Sequence, residues 1–378
     1  MNRHFYKNLQ FAFLAQFISI IINLIMYLIV PKIVGTTNYA YWQLFIFYTN
    51  YAGFFHLGLV DGIYLRLGGK KYNELNFNLL GSQLKVMNLV QIFVSIIFIF
   101  IVCIINIEFN RKFILFFTVI YVVMYCVENF LGFVLQAVNL TKKYSIAVII
   151  EKSICLIGTI ILLIMKVDNF QDYICLYVIS KVANIVLLCY WCREIIFSKF
   201  VGIKSTLSEM KTNILVGIIL MFSGIAGSLI IGNGRMIVDS IWGIEEFGKV
   251  SFSISILNMV LLFIKQISMV LFPTLRLSDE DKQAKIFFNV RDILYIILPI
   301  VYIFYIPGKA ILSYWLPQYT ESLNILSITL PICLYDAKMQ ILGNTYFKVL
   351  RKEKRLLVIN IVSMVISFIT SLFFRICI

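Results

Sequence analysis

The chain has 378 residues, 61% of them hydrophobic and 14% charged, with a mean hydropathy of +0.92. That is more apolar surface than a water-soluble core of this length buries, so composition excludes a soluble enzyme or binding domain and requires lipid as solvent. The formal net charge of +14 comes from Lys and Arg spread through short connections between apolar runs, which excludes a single nucleic-acid-binding patch and reads as a topology signal.

In chain order, eleven apolar stretches reach the about 20 helical residues a bilayer crossing needs. The first six occupy residues 11–30, 41–60, 87–107, 113–138, 145–165 and 173–191. The remaining five occupy 214–231, 251–275, 293–305 with its continuation, 323–346 and 356–376. This predicts an all-α integral membrane protein with two lobes, residues 1–213 with six spans and 214–378 with about five. The first run is span-length and no small-x-small site follows it before Pro31, so it reads as a retained helix and not as a cleaved export signal. Span two is unusually polar, with Gln43, Thr49, Asn50, Gly53 and His56, and is expected to face a cavity or other helices instead of lipid. His56 reads either as a hydrogen-bonding residue between helices or as part of a transport path.

Of the Lys and Arg residues outside the spans, 21 fall in the amino-terminal segment and the connections on its side, and 8 fall in the connections on the other. The bias places the first set, and with it the amino terminus, in the cytoplasm. Every connection is short, which leaves no extramembrane domain to hold a nucleotide or a soluble partner. No G-x-x-x-x-G-K loop occurs. The Cys189–Cys192 pair has no second pair and few histidines to complete a metal site, so the cysteines read as packing residues. No metal, cofactor or catalytic residue is expected.

Ionisable groups inside spans are costly unless paired or hydrated. Glu128, Lys181, Lys265 and the pair Asp336 and Lys338 fall roughly 12 to 15 Å from the inner boundary at about 1.5 Å per residue. One reading is a shared hydrated chamber in which lysines receive anionic groups and Glu128 neutralises one of them when the site is empty. The other is ordinary pairing, Glu128 with Lys181 within one lobe. Lys152, beside Glu151 and nearer the inner end, is equally explained by reaching toward the headgroups.

Two stretches read as one unit used twice. The first runs from residue 29 to 67 with Gly35, Tyr39 and Trp42, leaving through Tyr64-Leu65-Arg66-Leu67. The second runs from 237 to 277 with Gly243, Phe247 and Val250, leaving through Thr274-Leu275-Arg276-Leu277. The glycines are 208 residues apart and the arginines 210, the register expected of an internal duplication. Around these copies lie Asp61 and Arg66 at the inner mouth and Arg235 and Asp239 at the outer, with Lys249 opening span eight. Cations at both mouths suit capture and release of a negative headgroup; equally, Arg66 follows the inside bias and Arg235 has Asp239 four residues on along a helix.

The segment G-L-V-D-G-I-Y-L-R-L-G-G-K, residues 58–70, resembles the polysaccharide-biosynthesis flippases of the multidrug/oligosaccharidyl-lipid/polysaccharide exporter superfamily. The segment G-R-M-I-V-D-S-I-W-G-I-E-E-F-G-K-V-S-F-S, residues 234–253, is similar to the start of their second lobe. The resemblance covers essentially the whole chain through loose motifs. It implies two six-helix lobes that open alternately to each side and a polyprenyl-diphosphate-linked oligosaccharide as substrate, in the bacterial inner membrane, for capsule, O-antigen or exopolysaccharide synthesis. It implies partners among the polysaccharide polymerase and other assembly proteins, and no nucleic acid. By position the resemblance makes Arg66, Lys249 and Lys265 candidates for the diphosphate; the charges in and beside the spans add Lys181 and Arg235, with Glu128, Asp61 and Asp239 as candidates for ion coupling. Family members usually have twelve or fourteen spans; eleven are counted here, so the second lobe is expected to be at least one helix short of that pattern. A cation-coupled multidrug exporter of the same superfamily is the alternative, expected to carry more acidic groups. A membrane glycan polymerase or glycosyltransferase is a further one, expected to carry a sizeable outer loop with paired carboxylates.

Overall fold

The computed structural model describes the backbone of residues 3–276, 279–350 and 352–377. Side chains are described for residues 10–262 except 12, for 275 and 279, and for 281–373 except 297, 298, 301, 348 and 351. Among the described residues every regular element is helical.

The helices are α1 (Arg3–Leu28), α2 (Val30–Val34), α3 (Thr36–Thr49), α4 (Leu59–Leu67), α5 (Phe77–Ile104), α6 (Phe109–Ala137) and α7 (Thr141–Ile164). They continue as α8 (Phe170–Trp191), α9 (Arg193–Ile196), α10 (Ile203–Arg276), α11 (Glu280–Trp315), α12 (Thr320–Lys338), α13 (Thr345–Val349) and α14 (Glu353–Cys377). Among the described residues, eight helical stretches are long and apolar enough to cross a bilayer by themselves. At 74 residues, α10 would span about 110 Å if straight, several times a hydrocarbon core; it breaks at Gly243 and supplies two crossings. The second crossing falls outside the eight because it is in pieces: α3, a 3-10 turn at Ala52–His56 and α4. With these and with α11, which carries Pro299 and Pro307, the described residues make eleven crossings of an all-α integral membrane fold.

The ends are set by local chemistry. Asn76 caps α5 by accepting the Leu79 N–H at 3.1 Å, and Asn169 caps α8 by accepting from Gln171 at 3.1 Å. Asn139, at φ 62, turns the chain after α6 so that the Leu140 N–H reaches back to the Leu135 carbonyl at 2.8 Å. On α5, Leu89, Phe93, Ile96, Phe100 and Ile104 are all exposed at helical spacing, a stripe suited to lipid contact.

The chain divides into two compact units, Met1–Ile22 with Leu44–Ser228 and Asn23–Gln43 with Leu229–Ile378. In the first, α6 supplies much of the core, with Cys126, Phe130, Leu131, Val134 and Leu135 fully buried. Here Gly58 and Gly62 of the second crossing meet the first half of α10 backbone to backbone. A Cβ on Gly62 would lie 1.8 Å from the Asn213 carbonyl oxygen, and one on Gly217 would lie 2.0 Å from the Gly58 oxygen. The spacing is the small-xxx-small pattern of close helix crossings in membranes. In the second unit the core is aromatic: the Tyr319 ring stacks on Phe252 with centroids 4.3 Å apart and meets Tyr39 edge-on at 6.0 Å.

The duplication has a backbone counterpart. Gly35 sits at φ 79, ψ 171 and Gly243 at φ 80, ψ −170, a region open essentially to glycine alone. Four residues after each break, Tyr39 and Phe247 are both 0% exposed.

Candidate functional site

The polar interior of the first unit is built from three helices that are otherwise apolar. Glu128 comes from α6, Glu151 and Lys152 from α7, and Lys181 and Asn184 from α8, all but Lys152 buried. Lys181 Nζ pairs with Glu128 and stands 3.5 Å from Glu151 Oε1, which also holds Lys152 Nζ at 3.2 Å. Asn184 Nδ2 donates to both carboxylates, to Glu128 Oε1 at 2.8 Å and to Glu151 Oε2 at 2.5 Å. Two anions thus face two cations, with an amide bridging the anions. Aromatic rings close the cluster: Lys181 lies 5.2 Å from the Tyr121 centroid and 5.9 Å from that of Tyr125, and Lys152 lies 5.3 Å from that of Tyr177. In so dry a setting an uncompensated charge would be expensive, which accounts for the complete pairing.

Of the residues expected to meet at one level, Glu128 and Lys181 are brought together. Lys338, in the second unit, lies 4.2 Å from the Tyr295 ring centroid. Lys265 falls within α10, and its side chain lies outside the described residues. Glu151 and Asn184 were not singled out from the sequence, although both are polar residues on apolar helices, and Asn184 follows Lys181 at the i+3 spacing that puts two side chains on one helix face.

Arg66, at the end of α4, is held by Glu209 Oε1 at 2.6 Å and Asn213 Oδ1 at 2.5 Å, both on the first half of α10. Asp61 lies 3.8 Å from His56 Nδ1. The polar second span is largely enclosed by protein: Gln43, Thr49 and His56 are buried.

In the second unit, Arg235 is buried, donates to the Ser251 hydroxyl from Nε at 3.2 Å and Nη2 at 2.9 Å, and lies 5.0 Å from the Phe247 ring centroid. Asp239 follows one turn on along α10 and is half-buried. Lys249 bridges Glu246 at 2.7 Å and Glu321 at 2.5 Å. It lines a cavity of about 380 Å³ with Thr36, Glu245, Gln318, Tyr319 and Glu321.

No family model and no curated protein sequence matches the chain. Solved structures do. The chain is similar to the inward-facing conformation of a multidrug resistance MATE family transporter of the MOP superfamily, at TM-score 0.55 and 12% identity over 96% of this chain and 93% of that one. It is similar to MATE in the straight conformation at TM-score 0.56 and 12% identity, over 97% of this chain and 94% of that one. The outward-facing conformation of a multidrug resistance MATE family transporter gives TM-score 0.51 and 12% identity, over 98% and 96%. The chain therefore has the fold of these multi-pass membrane proteins along nearly all of its length.

Proposed function

We propose that the protein is a transporter and no enzyme: a flippase that carries a polyprenyl-diphosphate-linked oligosaccharide across the inner membrane by alternating access, with its amino terminus in the cytoplasm and a polysaccharide polymerase taking its product. The fold likeness supports a transporter in general, because its neighbours are transporters. Two of these neighbours are multidrug resistance transporters, which supports a multidrug exporter as the second reading.

The observation that carries the choice is the charge balance of the first unit. Glu128 and Glu151 are matched by Lys181 and Lys152, so this interior has no surplus negative charge for an organic cation. Lysines and arginines held by carboxylate or hydroxyl partners suit an anionic cargo, since a diphosphate exchanges with a carboxylate on the same cation. In this reading Arg66 and Lys181 of the first unit and Arg235, Lys249 and Lys265 of the second are each candidates to receive the diphosphate, Lys181 only by giving up its carboxylate partners, and Glu128, Asp61 and Asp239 are candidates for coupling.

A leaflet-resolved assay of lipid-linked glycan tests it. Deletion should accumulate the glycan on the cytoplasmic leaflet, and Lys249→Gln and Lys265→Gln should reproduce the defect at normal membrane abundance. Normal glycan transfer combined with new sensitivity to cationic drugs would replace this reading with the exporter, and unpolymerised glycan on the outer leaflet would replace it with the polymerase.

A further inference from the structure

The connection from α8 to the first half of α10 lies within the first unit and is tied to one face of α5. Asn78, Ser82 and Lys85 fall at helical spacing near the start of that helix. Asn78 Oδ1 accepts the Lys199 N–H at 3.1 Å, Ser82 Oγ accepts the Val201 N–H at 3.0 Å, and Lys85 Nζ donates to the Ser198 carbonyl at 2.6 Å. Beside them Gly81 lets the backbones touch, since a Cβ there would lie 2.1 Å from the Ile195 carbonyl oxygen. The connection is therefore a strap with a fixed height on α5.

That height is the level of the lipid headgroups. The apolar run of the third span begins at Met87, so Ser82 and Lys85 stand about 3 to 8 Å before it at 1.5 Å per residue. One headgroup layer is about 5 to 8 Å thick. The Lys and Arg bias assigns this end of α5 to the cytoplasmic leaflet.

What the strap displays there suits neither water nor hydrocarbon alone. Phe197 is 85% exposed, and Phe200, Val201, Ile203 and Leu207 are exposed as well. Five large apolar side chains left open within eleven residues are costly in water. Interleaved with them are Arg193, Lys199, Lys204 and Lys211, all exposed, whose charges are costly among acyl chains. The acids of this stretch are Glu194 and Glu209, and Glu209 is already held by Arg66 at 2.6 Å. The boundary between acyl chains and phosphates satisfies both sets at once, because apolar side chains reach inward while lysine and arginine stems extend to the headgroups.

We propose that residues 193–211 form a binding site for anionic phospholipids: the exposed apolar side chains enter the acyl boundary, and Arg193, Lys199, Lys204 and Lys211 hold headgroup phosphates. The surplus of positive charge selects anionic over zwitterionic headgroups, since each lysine or arginine near an anionic surface strengthens binding about fivefold. None of these four cations is a candidate for the diphosphate, and the Glu128–Lys181 cluster plays no part. The proposal rests on the membrane fold and not on the identity of the cargo.

The test is amide exchange on the full-length protein in nanodiscs of phosphatidylcholine, with and without phosphatidylglycerol. Phosphatidylglycerol should slow exchange across residues 193–211 by at least about fivefold, with the effect weakened by added salt as an electrostatic contact requires, while exchange in α6 stays unchanged. Lys199→Gln, Lys204→Gln and Lys211→Gln together should remove the difference between the two lipid compositions. Phe197→Ser with Phe200→Ser should speed exchange in both. Inorganic phosphate added to the phosphatidylcholine discs should not reproduce the slowing. Equal exchange in the two compositions, a difference that survives the lysine changes, indifference to the loss of both phenylalanines, or slowing by phosphate alone would overturn the proposal. None of these readouts needs a cargo, so their failure leaves the transport reading standing; a deletion strain with normal glycan distribution would count against that reading alone.

Discussion

In the first of the two repeated hairpins the backbone leaves the helix at Gly35 with φ 79 and ψ 171, and in the second at Gly243 with φ 80 and ψ −170. Each resumes at once and buries an aromatic ring four residues later, Tyr39 in one and Phe247 in the other. Beyond that point they diverge. The second copy runs as unbroken helix to Arg276, whereas the first stops after Thr49, makes a 3-10 turn around His56 and restarts at Leu59. Gly62, at the centre of the restarted helix, has Phe272 as its counterpart at the offset of the two arginines. The shared glycines set the hairpin's entry, and what was added to the first copy is a second break with a titratable pair beside it.

The charged residues differ between the units in the same sense. Lys181 in the first unit is 4% exposed between two carboxylates, while the Lys249 side chain in the second is 33% exposed between two partners that are more exposed still. Lys181→Met should therefore have the largest effect of the changes considered, about 3–5 kcal/mol in a reversible unfolding titration in mixed micelles, because it strands two buried carboxylates. Adding Glu128→Gln should recover part of that loss. Gly62→Ala should cost about 3 kcal/mol in the same titration by pushing α4 off α10, and a neutral result would remove the close crossing from the account of the first break.

Gly35→Ala and Gly243→Ala sharpen the likeness of the copies. Both sites have open space for a methyl group, so each substitution should cost only its backbone strain, about 1–3 kcal/mol, and the two losses should agree. A clear inequality would mean that the shared dihedral angles do not reflect a shared role. Smallest is Lys249→Met, for which a change below about 1 kcal/mol is expected, since half-exposed pairs are screened by water. A loss comparable to that of Lys181 would erase the contrast between the units.

The class, the number of crossings and the entry of each hairpin were legible along the chain because they depend on local properties: apolar length against bilayer thickness, and a glycine where only glycine fits. Span two was legible as an exception for the same reason, since Gln43, Thr49 and His56 are costly in lipid wherever they pack. Glu128 and Lys181 could be picked out as intramembrane charges, yet nothing in the order of residues chose between a hydrated chamber and a pairing. The pairing seen in the structure depends on Glu151 arriving from α7 as a second carboxylate for Lys181, and on Asn184, one turn along α8, donating to both carboxylates.

The sequence by itself determined that this is a helical membrane protein with eleven crossings and a repeated glycine-broken hairpin, because helix length, hydropathy and positive φ are decided within a few residues. Only the tertiary structure decided which charges are spent on one another and where the second helix comes apart. An ion pair is a property of two distant segments, and the Gly58–Gly217 contact exists only once α4 and α10 have met.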